Sequence, residues 1–197
     1  MSSSQSAPRS AFQERIGDAI VDAAIAVLAS GGEASMQSIA EEAGVARATI
    51  YRYFPSRQEL LEEVGRRAVV EVSARLRSSR LEEVPVEEGI ARALRALVEA
   101  GDLFVVLTRQ RTGSIERTVR RQLDAPLRSL VGRGQHQGVI RDDVPDTWLT
   151  ELLLVLAVSM SYAKPSRGTD DTVADLLSVF LHGAGGDKAT SRRLRPI

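Results

Sequence analysis

In the stretch GVARATIYRYFPSR (residues 44–57), Arg47, Arg52 and Arg57 are interleaved with Thr49, Tyr51 and Tyr53. It holds no acidic residue, although the chain balances 26 basic against 26 acidic side chains. Guanidinium and phenol groups on one short helix suit a nucleic acid. Residues at the helix start reach base edges in the major groove, and later ones reach phosphates. Of the one Trp, three Tyr and four Phe in the chain, Tyr51, Tyr53 and Phe54 crowd into a single turn. Ile50 and Phe54 share a face at i, i+4, so Arg47, Thr49, Tyr51 and Tyr53 cannot all point inward. Arg57, in the first turn of the next helix, is placed to meet a phosphate together with that helix's free amides.

Other chemistry is poorly represented. No Cys is present, which removes disulfides, thiolate metal sites and a thiol nucleophile. His136 and His182 stand alone, and no GxSxG elbow precedes the His182-Gly-Ala-Gly-Gly run. Asp142, Asp143 and Asp146 read as a loop ending in a helix cap rather than a cation site. Arg109, Arg111, Arg117, Arg120 and Arg121 read as a solvated helix face. Neither a metal nor a cofactor is called for, and an enzyme is not expected. No apolar run reaches the roughly 18–20 residues of a membrane span. The first residues, MSSSQSAPRS, lack the apolar core of a signal peptide, so a cytoplasmic location is expected.

The elements that must position the arginines are helices. Ala40, Gly44 and Ile50, four and then six residues apart, have the spacing of a helix-turn-helix. Such a motif needs a small residue where its helices touch, a glycine able to take positive φ at the turn, and a branched residue seating the second helix. Ser35 caps the first of these helices. Ser56 and Glu59 form a capping box for the long helix that follows, expected to run to about Leu76. Upstream, Phe12, Ile16, Ile20, Ala23, Ala24, Val27 and Leu28 mark another helix, stopped by Gly31-Gly32. Downstream come stripes at Val86–Leu97, Leu103–Leu107, and Ile115–Val131, the last kinked by Pro126. Gly132, Gly134 and Gly138 are expected to mark a loop. Trp148–Tyr162 is apolar nearly all round, and Thr172–Leu181 follows. About nine helices and no strand make the chain all-α.

The run GVARATIYRYFPSRQELL resembles the recognition motif of the TetR family of bacterial transcriptional regulators, roughly G-V-S-x-x-T-L-Y-x-H/Y-F-x-S/N-K-x-x-L. The likeness extends over residues 12 to 65. Beyond them only length, helix count and a closing pair of apolar helices resemble the family. The resemblance implies that Gln37, Arg47, Ala48 and Thr49 face bases, and that Ser35, Tyr51, Tyr53 and Arg57 hold phosphates. Ala46 departs from the usual Ser or Thr and leaves its helix without a hydroxyl cap; Arg57 replaces the usual Lys.

The expected organisation is a three-helix DNA-binding head (1–57, with 1–10 disordered), an effector-binding and dimerisation domain (58–185), and a disordered basic tail (186–197). Arg9 in the arm has the chemistry to enter a minor groove. The expected partners are a double-stranded DNA operator, a second copy of the chain and a small-molecule effector. Phe104, Leu107, Trp148, Leu152 and Tyr162 are the candidates to line an effector cavity, since such pockets are mostly apolar. Ordinary core packing explains the same residues. Segments 147–163 and 172–182 are expected to pair with their dimer mates in a four-helix bundle. The expected function is a homodimeric repressor released by its effector. A protein-interaction module that has lost DNA binding is the alternative.

Overall fold

The computed structural model describes residues 11–31, 34–109, 118–163 and 168–184. The N-terminal arm, the basic tail, most of the 109–121 arginine run and the Tyr162 side chain lie outside the described residues. Among those described are nine α-helices and no strand. They are α1 (Ala11–Ala29), α2 (Met36–Glu42), α3 (Arg47–Tyr53), α4 (Arg57–Ser78), α5 (Val86–Ala100), α6 (Asp102–Arg109), α7 (Ala125–His136), α8 (Asp146–Ala163) and α9 (Thr169–Ala184). The chain divides into two compact units, Met1–Ala68 and Val69–Ile197, and the division falls inside α4.

In the first unit, Ile20, Ala24, Ile39, Ala40, Ile50, Leu60 and Val64 are buried and form the core. The turn between α2 and α3 is made by Gly44 at φ +64, a conformation costly to any residue with a Cβ. Its amide donates to the Glu41 carbonyl, and the next amide, Val45, donates to Ala40 (3.0 Å). Ser35 caps α2 by accepting the Ser38 amide at 3.0 Å. Ser56 accepts the Glu59 amide at 3.2 Å and donates to the Glu59 carboxylate at 3.0 Å, so the capping box closes through the side chains. Arg67 anchors α4 to α1 through Asp22 (3.1 Å).

The second unit is organised around α5, which packs against α7, α8 and α9. Gly89 and Gly134 make this possible. A Cβ on Gly89 would stand 2.8 Å from Leu130 Cδ1, and one on Gly134 would stand 2.6 Å from Ile140 Cδ1 and 2.9 Å from Val86 Cγ1. The loop expected from Gly132, Gly134 and Gly138 is therefore corrected. Helix α7 runs through the first two, and only Gly138, at φ +73, makes the turn. A π-helical turn of five residues, Arg120–Asp124, precedes α7. Pro126 just inside α7 has no amide to close an α-helical bond on the preceding turn, and the wider turn accommodates that loss. The connection after α7 is stitched by Gln135, whose Nε2 donates to the carbonyls of Arg141 (2.9 Å) and Val144 (2.8 Å). Arg128 bonds Asp146 at 2.6 Å where α8 begins.

Candidate nucleic-acid interface

Helix α3 is short and carries only one buried residue, Ile50. With that single anchor, Arg47 and Ala48 face solvent, Thr49 is half-exposed and Tyr51 is exposed. No side chain caps α3 at Ala46, as expected from the missing hydroxyl. The Arg47 guanidinium lies over the Tyr51 ring, 5.7 Å from its centroid, which couples the two side chains one helical turn apart.

Five of the eight sequence-predicted residues converge. Ser35, Gln37, Arg47, Tyr51 and Arg57 line one open concavity of about 430 Å³, with Ala34 and Met36 completing its wall. Arg57 reaches this place because its Nε donates to the Ala34 carbonyl at 2.7 Å, a bond that ties the start of α4 to the turn before α2. The two terminal nitrogens of the guanidinium are left to other partners. Ser35 keeps its hydroxyl at the α2 cap, beside Ser38 Oγ at 3.0 Å. Gln37, exposed on α2, donates from Nε2 to Glu41 at 2.6 Å.

Tyr53 stands apart from this group. It is half-buried, its ring packs by Gly17 of α1 and under the Arg52 guanidinium (5.4 Å), and it lines a separate groove with Glu14, Asp18, Glu59, Glu62 and Glu63. The sequence reading missed Met36, Ala34 and Glu41. Only Glu41 had a signal, its i, i+4 spacing from Gln37, because that spacing brings amide and carboxylate onto one face.

The four effector-cavity candidates whose side chains are described are not brought together. Phe104 and Leu107 are buried in the core of the second unit, whereas Trp148 is 73% exposed and Leu152 41% exposed. The reason is helical phase: Trp148, Leu152 and Val155 (60% exposed) recur at i, i+4, i+7 along one outward stripe of α8, while Leu149, Leu153, Leu154 and Ala157 occupy the buried face. Val179 on α9 is also 59% exposed. A polar candidate absent from the sequence reading is Ser73 on α4, fully buried, whose Oγ has no hydrogen-bond partner among the described residues. Among those residues no group of three His, Cys, Asp or Glu side chains is arranged to hold a metal, and no helix is long and apolar enough to cross a membrane.

Known proteins resemble this chain in sequence and in fold. Residues 20–64 match the sequence model described as bacterial regulatory proteins, tetR family. The chain is 32% identical over 96 residues to the transcriptional repressor LfrR of Mycolicibacterium smegmatis, a match spanning 49% of this chain and 51% of LfrR, about half its length. It is 27% identical over 163 residues to the transcriptional regulator NfxB of Pseudomonas aeruginosa, covering 77% of this chain and 84% of NfxB. The solved structure of LfrR in complex with proflavine superposes with a TM-score of 0.70 at 24% identity, over 87% of this chain and 97% of that one, and speaks for the fold.

Proposed function

Because the chain belongs to the TetR family of bacterial regulatory proteins, we propose that it is a homodimeric, sequence-specific DNA-binding repressor that a small molecule releases from a palindromic operator. The observation that carries this reading is the convergence of Ser35, Gln37, Arg47, Tyr51 and Arg57 on one open concavity. Arg47, with Ala48 and Thr49 beside it, reads base edges in the major groove. Ser35, Tyr51 and Arg57 hold the backbone. Residues 1–57 carry this activity, and 58–185 carry effector binding and dimerisation.

Dimerisation is supported by the exposed stripe of Trp148, Leu152 and Val155 on α8 and by Val179 on α9, apolar surface of a kind monomers rarely leave contiguous. Two copies related by a twofold axis present two heads to two half-sites, hence a pseudo-palindromic operator. LfrR, named a repressor and solved with proflavine, lends the reading its sense of regulation. An effector acts by favouring a conformer in which the spacing of the two heads no longer matches the operator, to the extent of its differential affinity for the two states.

The test is selection of fragmented genomic DNA by the purified protein, with Arg47→Ala alongside. A palindromic motif lost in the variant supports the reading; absence of any enriched motif at moderate salt overturns it.

A further inference from the structure

We propose that Glu41 is a positioning residue for base reading: it holds the Gln37 amide by one N–H, so that Gln37 offers its oxygen to DNA and selects a base with an amino donor. The inference rests on reading the concavity as the DNA-binding face. Gln37 and Glu41 lie one turn apart on α2, and Gln37 Nε2 donates to Glu41 Oε1 at 2.6 Å. The two ends of an amide are nearly the same in shape, but a carboxylate only accepts, so the nitrogen must be the end that faces Glu41. The amide orientation is thereby fixed by chemistry.

The consequence is a change in what Gln37 can read. A free glutamine uses both ends on one adenine, donating to N7 and accepting from N6. Here Glu41 takes one N–H and sets which way the amide faces; Oε1 remains as the acceptor in a lining where Arg47 and Arg57 only donate, and the second N–H beside it is able to meet adenine N7. The bases that answer an acceptor in the major groove are cytosine, through N4, and adenine, through N6. The Glu41 carboxylate acts in the same direction, because the acceptor atoms of guanine (O6, N7) and thymine (O4) repel it. Both side chains are exposed, so neither is needed for the core. Water leaves as DNA closes over α2, and the amide–carboxylate bond then strengthens.

The experiment is binding-site selection from a randomised duplex pool with full-length wild type, Gln37→Ala, Glu41→Gln, Glu41→Ala and Glu41→Lys, each checked for an unchanged thermal melt. In wild type, one position of each half-site favours cytosine or adenine, and Gln37→Ala identifies that position by losing the preference. Glu41→Gln weakens it, because an amide at this position donates as well as accepts and no longer fixes which end of Gln37 faces it. Glu41→Ala relaxes it by about tenfold, within the range of one base contact. Glu41→Lys reverses it toward guanine or thymine, because the ammonium takes Oε1 and turns the nitrogen to the groove. A position that Gln37→Ala leaves unchanged, or a preference that survives both Glu41→Ala and Glu41→Lys, overturns the proposal. Absence of any motif in wild type overturns the DNA-binding reading beneath it and the proposal with it.

Discussion

The concavity around Arg47 and the stripe of α8 headed by Trp148 are both open to solvent, yet they are built from opposite materials. The first gathers guanidinium, amide, hydroxyl and phenol groups from three short stretches of chain, each held by a local bond: Ser35 by its cap, Gln37 by Glu41, Arg57 by the Ala34 carbonyl. The second is a single helix surface of exposed apolar side chains, Trp148, Leu152 and Val155, flanked by the exposed Glu151. A polar face must be aimed, because charged and hydrogen-bonding groups gain little unless their geometry is met. An apolar face needs only area and shape. The contrast teaches that the two faces should fail differently when altered, one in selectivity and the other in assembly.

The largest effect is expected on the apolar side. Trp148→Glu, combined with Val155→Glu, should convert the protein to a monomer in sedimentation equilibrium while leaving its helical circular dichroism intact. Operator affinity should then fall by about 10²–10⁴-fold, the gain that linking two binding modules confers. A variant that stays dimeric would place the self-association surface elsewhere. Arg47→Ala comes next, with an expected loss of about 1–3 kcal/mol on the operator and far less on random DNA, as a bidentate base contact requires. Equal losses on both in a titration would remove Arg47 from base reading. Arg57→Ala should weaken all sequences alike and reduce the magnitude of the salt slope of log K by about 0.9, one phosphate's worth of released counterions. An unchanged slope would leave Arg57 as a strut for Ala34 alone.

The smallest expected effect lies away from both faces. The hydrogen bond from Arg128 holds the Asp146 carboxyl below its ordinary value. A depressed carboxylate stabilises the fold above its unfolded-state pKa, and that contribution is lost as pH falls through the folded value. Asp146→Asn should therefore lose slight stability at neutral pH and flatten the acid end of the stability profile, read by thermal melts across pH. A profile identical to wild type would show that water screens the pair fully.

Much of the head was legible in the sequence because its signals are local. Gly44 turns where the Ala40-Gly44-Ile50 spacing placed it, and Ser35 and Ser56 cap the helices they were expected to cap. The second unit was legible in its helices and less so in their faces. Gly134 reads as a loop residue along the chain, but it lies inside the helix that ends at His136, where Ile140 and Val86 approach so closely that a Cβ would meet them, a fact of tertiary packing. Trp148 and Leu152 look like cavity wall by type alone, whereas the phase of α8 turns them outward. Tyr53 matches the motif by position, yet its ring settles by Gly17 of α1, far away in sequence.

The division of the chain inside α4, between Ala68 and Val69, bears on any attempt to exchange heads between regulators. A seam in a loop tolerates an extra residue; a seam in a helix does not. Each residue added or removed there turns the remainder of the α4 stripe by about 100° and shifts it about 1.5 Å along the helix. A chimera joined in α4 must therefore keep each unit's own part of the stripe whole, Leu60, Val64 and Ala68 in the first and Val69, Val72 and Leu76 in the second. A ladder of junctions moved one residue at a time along α4 would show stability falling wherever either part is cut.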